Sequence, residues 1–297
     1  MPSGKKVKLI LYEVLQFAAL IVPIFVIMER FASLIYNVKG RDQTAYWLVV
    51  AASIAYVTSV TLLVWAPVRY MTIKQRRFIR EVTQRPTAMA YLILCTLPCF
   101  AILIASSKVQ VDRGQTLDSF SELPVSLVLF FLIWVDIIER IRPCKLMGKR
   151  TRITSTAYLY SSTSRPLSYS GRPSILWKRD GRSEIFVDSF LFWFDTVEMV
   201  RVAGLPSVFY SGWVFPVYIL AFLSTLRMII TPHNPLLSSA GFALQDFPFF
   251  VLRVALIAVF GFVTPFLYPL KNVLVSLAFI YFTFLTRLKI FRHHSLF

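Results

Sequence analysis

An all-α fold, a polytopic membrane bundle of about eight transmembrane helices with six or seven as the alternatives, is what this amino-acid sequence predicts. Three observations predict it. Apolar residues make up 57% of the 297 and charged ones only 16%, a composition outside that of soluble domains. The apolar residues gather in eight stretches close to the roughly twenty that cross a hydrocarbon core as a helix. Lys and Arg concentrate in alternate connections between those stretches, as the positive-inside rule requires.

The stretches are 8–29, 45–68, 88–107, 123–141, 183–203, 212–231, 247–266 and 271–288. The first follows Lys5, Lys6 and Lys8, is too long for a signal-peptide core and has no small-residue cleavage site, so it reads as a retained span. Acids and an arginine interrupt the fifth and seventh, and the short link between the last two suggests a helical hairpin. Residues 1–141 thus hold four helices, 142–182 a loop, and 183–297 four more helices with a short basic tail. An even count puts both termini on one side. With the N-terminus cytoplasmic, inner segments carry 22 Lys and Arg and outer segments seven, among them Arg201 and Lys271. The bias weakens after the fifth span, because 231–245 has neither residue type. The plasma membrane is the expected location.

A net charge of +17 would suggest nucleic acid for a soluble protein, but here it sets topology, and no nucleic-acid partner is expected. The bilayer is the partner. The loop 142–182 holds ten basic residues against the single acid Asp180 and is rich in Ser and Thr, so it cannot bury a core and is expected to be disordered. It reads either as a solvated topology-setting loop or as a polybasic segment on anionic lipid headgroups, released when Thr151, Thr154 or Ser174 is phosphorylated. Cys144, just past a span among basic residues, is a candidate lipidation site. Cys95 and Cys99 read as packing residues.

The fifth span reads Glu184-Ile-Phe-Val-Asp188-Ser-Phe-Leu-Phe-Trp193-Phe-Asp195-Thr-Val-Glu198. At the helical period Glu184, Asp188, Asp195 and Glu198 form an acidic stripe about 80° wide. A charge near the bilayer centre costs roughly 2.5–3.5 kcal/mol on the insertion scale, so this helix needs partners. Arg253, the only basic residue well inside another apolar span, is the expected partner of Asp195, with Arg227 a further candidate. The stripe reads either as a buried ion network or as a polar path for an ion, proton or lipid headgroup.

The pattern Leu-x-Trp-x-Asp-x-x-Glu-x-x-Arg occurs twice, at Leu132–Arg142 and Leu191–Arg201. In the first copy Asp136, Glu139 and Arg140 form a polar cluster at the end of a span, read as interfacial, with the acids reaching water. Consecutive spans run oppositely, so a true repeat here would be inverted. Acid-x-Pro at Glu122–Pro124 and Asp246–Pro248 reads as a helix start, the acid near the positive dipole end and Pro in the first turn. His233, His293 and His294 lie in loops or the tail, and no Gly-rich phosphate loop occurs. No catalytic set, cofactor or metal site is therefore expected.

These residues carry a family resemblance. Ser53–Pro67 (SIAYVTSVTLLVWAP), Thr96–Cys99 (TLPC), Leu123–Glu139 (LPVSLVLFFLIWVDIIE), Asp195–Gly204 (DTVEMVRVAG), Pro216–Ile219 (PVYI), Thr231–Leu237 (TPHNPLL) and Lys271–Leu274 (KNVL) resemble the vertebrate transmembrane protein 236 family over most of the membrane portion. The loop 142–182 looks shorter than the family's, and nothing is carried over there. The resemblance implies a multi-pass membrane protein and attaches no activity, cofactor or catalytic residue. The acid-x-Pro pairs are also similar to the acid-x-Pro-Gln element of XK-related lipid scramblases, with Val125 and Phe249 in place of Gln. Three functions follow: moving or binding a small solute, ion or lipid along the acidic face, serving as a structural or adaptor protein through the basic loop, or scrambling lipid.

Overall fold

The computed structural model describes residues 4–73, 85–114, 122–141, 181–230 and 239–281. The loop from 142 to 180, with Cys144, lies outside them, as do the side chains of Glu184 and Asp188. Among the described residues the helical segments group into eight main helices, and there is no strand. They are α1 (Gly4–Val38), α2 (Gln43–Val60, continued by Thr61–Trp65 and Ala66–Ile73), α3 (Pro86–Arg113), α4 (Glu122–Ile141), α5 (Gly181–Ala203), α6 (Val214–Ile230), α7 (Ser239–Phe260) and α8 (Leu267–Ile280), with the single turn Pro206–Phe209 between α5 and α6.

Four of the eight, over Leu9–Val38, Gln43–Met71, Pro86–Arg113 and Ser239–Phe260, are long and apolar enough to cross a membrane, while α6 and α8 are apolar but shorter. The two left over, α4 and α5, have 20 and 23 residues and carry the acids. Large apolar side chains face outward, including Phe262 at 87%, Leu63 at 76% and Leu48 at 71% exposure. In water such surfaces would associate; in a bilayer they meet chains as apolar as themselves. The fold is that of a helical membrane bundle.

Side-chain contacts fix how the helices alternate. Glu13 near the start of α1 meets Arg69 near the end of α2, Arg69 meets Thr87 at the start of α3, and Glu139 near the end of α4 meets the same turn. Arg85, just before α3, reaches the last turn of α6. These contacts define one end of the bundle, called here the basic end. At the opposite end, Arg113 of α3 donates to the Val38 carbonyl at the end of α1. Back toward the basic end, Arg227 late in α6 meets Gln245 early in α7, and Phe242 early in α7 stacks on Phe279 late in α8 at 4.9 Å. Odd-numbered helices therefore start at the basic end and even-numbered ones finish there.

Two large apolar cores fill most of the bundle, with a small third cluster of Ile133, Ile137, Phe192 and Met228 between α4, α5 and α6. One joins α1 to α4 around Leu20, Ile24, Tyr91, Cys95, Cys99 and Leu132; the two cysteines are buried, as expected of packing residues. The other joins α3 to α7 around Leu129, Met199, Val217, Phe249 and Leu256.

Among the described residues three helices contain a complete π turn, Thr61–Trp65 in α2, Leu92–Thr96 in α3 and Phe242–Asp246 in α7. Each ends two residues before a proline, Pro67, Pro98 or Pro248. The cause is local: proline has no N–H for the carbonyl four residues back and its ring crowds that oxygen, so the turn widens. In α3 the carbonyl that Pro98 leaves without its helical donor belongs to Leu94, and the Tyr56 hydroxyl of α2 donates to it at 2.8 Å.

The same effect corrects the boundaries of the seventh span. Asp246-Phe-Pro248 does not start a helix: α7 begins at Ser239, runs through the π turn, and stops at Phe260, where Gly261 has φ 78°. Such a backbone is readily adopted only by glycine. The span expected at 247–266 is therefore displaced toward the N-terminus, and 239–245 is helix instead of loop. Acid-x-Pro does sit at a helix start in α4, which begins at Glu122.

Candidate functional site: two buried charge networks

The first network is built where α5, α7 and α8 meet. Asp195 and Glu198 are one turn apart on α5 and are buried, at 2% and 7% exposure. Arg253 of α7 is fully buried between them, its Nη1 donating to Asp195 Oδ1 at 2.8 Å and its Nη2 to Glu198 Oε2 at 2.8 Å. Phe249, one turn before it, and Tyr268 of α8 lie against its guanidinium, with ring centroids at 5.6 and 4.9 Å, which adds a cation–π attraction in a dry setting. The Thr264 hydroxyl, in the α7–α8 link, donates to Glu198 Oε1 at 2.9 Å.

The other oxygen of Asp195 gathers a second set. Lys271 Nζ of α8 lies 2.9 Å from Asp195 Oδ2 and 3.3 Å from Asp246 Oδ1. The Gln245 amide donates to the same Asp195 oxygen at 3.0 Å, and its own oxygen accepts from Arg227 of α6. Three carboxylates, Asp195, Glu198 and Asp246, thus share one interior with the three cations Arg227, Arg253 and Lys271. The π turn ahead of Pro248 is what presents Gln245 and Asp246 here.

The second network sits at the basic end. Asp136 of α4 is fully buried; its Oδ1 accepts from Arg85 Nη1 at 2.8 Å, and Arg140 Nε lies 2.9 Å from its other oxygen as an ion pair. Glu139 takes the backbone N–H groups of Thr87 and Ala88 at 3.1 and 3.0 Å. These are early N–H groups of α3, where no helical acceptor exists and the dipole favours an anion. Arg85 Nη1 also donates to the Met228 carbonyl at 2.7 Å, which supplies a cation to the C-terminal turn of α6 by the converse argument. Arg69 donates to Glu13 through Nε at 2.8 Å and to Thr87 Oγ1 at 2.6 Å. This cluster does not lie open to water as a set of interfacial residues would: Asp136 is buried because Arg85 comes in from the link before α3 to meet it.

Of the residues singled out from sequence, the structure brings Asp195, Glu198 and Arg253 into one network and Asp136, Glu139 and Arg140 into another. Arg227 reaches Asp195 through Gln245. Lys271, counted with the outer connections, lies inside α8, and Gln245, Asp246 and Thr264 were not singled out as partners of the acids. A signal existed for Lys271 in the Lys-Asn pair between apolar runs, where a lysine flanked by membrane helix needs an acid. For Glu139 the missing signal was the unsatisfied helix start at Pro86. Among the described residues, no group of three or more His, Cys, Asp or Glu could hold a metal ion.

A helical bundle with lipid-facing apolar sides and charges paired inside defines a multi-pass integral membrane protein. The chain belongs to the transmembrane protein 236 family. Transmembrane protein 236 of Danio rerio is 51% identical with the whole of both chains covered, that of Mus musculus 40% over 98% of each, and that of Oryctolagus cuniculus 38% over all of this chain and 99% of the relative. No family model and no solved structure matches it.

Proposed function

We propose that the protein binds or moves a small ion or charged solute at the network between α5, α7 and α8. The observation that carries this reading is the position of Lys271: its partners Asp195 and Asp246 are almost wholly buried, whereas its own side chain is 35% exposed. A charge centre inside a membrane protein with one member at the accessible edge is a way in for a charged species, and intramembrane ionisable groups mark solute paths more often than chance allows. The basic end is the cytoplasmic one on this reading, with both termini there, in the plasma membrane, and with the 142–182 loop able to meet anionic headgroups.

The complete pairing of Asp195 and Glu198 favours a second reading, a non-enzymatic structural or adaptor protein whose charges lock helices together. Reconstitution into liposomes with ion-flux and lipid-flip readouts separates the readings, comparing wild type with Asp195→Asn. Ion flux lost in the variant supports the first. Destabilisation with no flux in wild type supports the second, and flipping sensitive to Asp246→Asn supports lipid scrambling instead.

A further inference from the structure

We infer that the two charge networks form one hydrogen-bonded file running from end to end of the bundle, and that this file couples the α7–α8 link to the start of α3 at the basic end. The inference goes beyond the solute-binding reading and stands whether or not a solute crosses.

The file begins opposite the basic end, where the Thr264 hydroxyl holds Glu198 at 2.9 Å and Arg253 joins Glu198 to Asp195 at 2.8 Å on each side. Gln245 lies about two turns, or about 12 Å, nearer the basic end of α7 than Arg253 does. It donates to Asp195 at 3.0 Å and accepts from Arg227. The next residue of α6 carries the file on: the Met228 carbonyl accepts from Arg85 Nη1 at 2.7 Å, and the same nitrogen donates to Asp136 at 2.8 Å, which pairs with Arg140. Helices α4 to α7 and the approach to α3 are thereby tied together.

The file is dry. Of Arg85, Asp136, Asp195, Arg227, Gln245 and Arg253 the most exposed is Arg85, at 4%, so a donor that moves strands a partner that no water reaches. Its groups are also shared, since Arg85 Nη1 serves two helices and Asp195 takes Arg253 on one oxygen and Gln245 on the other. The Met228 carbonyl is one of the last four of α6, which have no donor within the helix. Arg85 therefore caps the very turn that carries Arg227.

Gln245 polarises the join between the networks. Its oxygen faces the Arg227 guanidinium and its NH2 the Asp195 carboxylate. A flipped amide would set donor against donor and acceptor against acceptor, so the charges on both sides fix its orientation. A shift on either side is then felt on the other. Chains of bonded groups that rearrange together carry coupling of this kind, and it acts in both directions.

The test uses the full-length protein in detergent. Lys271 reports on the Asp195 end, because its ammonium is 2.9 Å from Asp195 and its side chain is 35% exposed. Its modification by an amine reagent is read by mass spectrometry against that of Lys39, which is exposed just past α1. Arg85→Met is expected to speed Lys271 labelling several-fold relative to Lys39. Glu139→Leu, which disturbs the same turn of α3 from outside the file, should leave the ratio at its wild-type value. In a Gln245→Met background the effect of Arg85→Met should disappear, because the join is cut. No change with Arg85→Met, an equal change with Glu139→Leu, or an effect that persists without Gln245 overturns the inference. Should Arg85→Met or Gln245→Met fail to fold, the reverse direction decides through the near-isosteric Thr264→Val: hydrogen exchange of residues 86–90 that is several-fold faster supports the coupling, and exchange identical to wild type overturns it. None of these readings involves transport, so liposome flux stands or falls separately.

Discussion

Arg253 bridges two carboxylates on successive turns of α5, Asp195 and Glu198, at 2.8 Å each. The geometry makes α5 and α7 dependent on one another. Removing one member strands charge in an interior that cannot hydrate it, and breaking a buried pair in this way costs about 3–5 kcal/mol. Arg253→Leu should therefore lower thermal stability sharply, and Asp195→Leu similarly, because Lys271 and Arg253 then lose a shared acceptor. Arg253→Leu with Asp195→Leu should be less destabilised than the two singles added together. Unfolding of all three by tryptophan fluorescence in detergent checks this, and strictly additive losses would show that the pair is not coupled.

The pairing of Asp195 with Arg253 was legible because a charge in an apolar run demands compensation and few candidates occur. What was not legible depended on backbone detail. Pro248 looks like a helix start because acid-x-Pro usually is one, and only the π turn ahead of it keeps α7 continuous from Ser239 and turns Asp246 inward. Lys271 looked like the outer edge of the last span because the apolar run opens on it, yet α8 begins at Leu267 and the lysine stem lets the ammonium reach α5 and α7 from inside the helix. Asp136 and Glu139 looked wet because they sit at a helix end. The burial of Asp136 and the partial burial of Glu139 come from Arg85 and the first turn of α3, a packing relation that no local pattern encodes. The helical membrane bundle itself was legible, since hydropathy over about twenty residues is a strong signal.

Glu139 serves as the acceptor for the start of α3, so its loss should act on that helix. Glu139→Leu leaves the Thr87 and Ala88 N–H groups without partners, at about 1–3 kcal/mol for each group that no water reaches. Glu139→Gln keeps one oxygen and should lie between. Hydrogen exchange of residues 86–90 gives the local reading: faster exchange there, with α7 unchanged, is the expected pattern.

The basic loop 142–182 is a cytoplasmic segment on the topology proposed here. Ser164→Cys in intact cells should resist an impermeant thiol reagent and become reactive on permeabilisation. Rapid labelling of intact cells would invert the orientation of all eight helices. If the loop also meets anionic lipid, about 1 kcal/mol per basic residue is at stake near the surface, and salt screens it. A synthetic loop peptide should then bind phosphatidylserine vesicles less as salt rises, whereas absent or salt-independent binding would leave the loop its topological role alone.

Tyr56 and Pro98 give the sharpest test of how the helices tolerate their prolines. The Tyr56 hydroxyl donates at 2.8 Å to the Leu94 carbonyl, whose helical donor Pro98 cannot supply. In hydrocarbon an oxygen in that position has no water to turn to. Interhelical hydrogen bonds in membranes contribute about 0.6 kcal/mol on average and up to about 1.7, and this one should lie toward the upper figure because its acceptor has no α-helical alternative. Tyr56→Phe should therefore destabilise the protein by about 1–2 kcal/mol. Pro98→Ala restores an N–H to α3, so in that background the carbonyl has a second donor and the cost of Tyr56→Phe should fall by half or more. Thermal unfolding of the two singles and the double gives the coupling energy directly. An undiminished cost of Tyr56→Phe in the Pro98→Ala background would mean that the hydroxyl acts through α2 packing and not by capping the orphaned carbonyl.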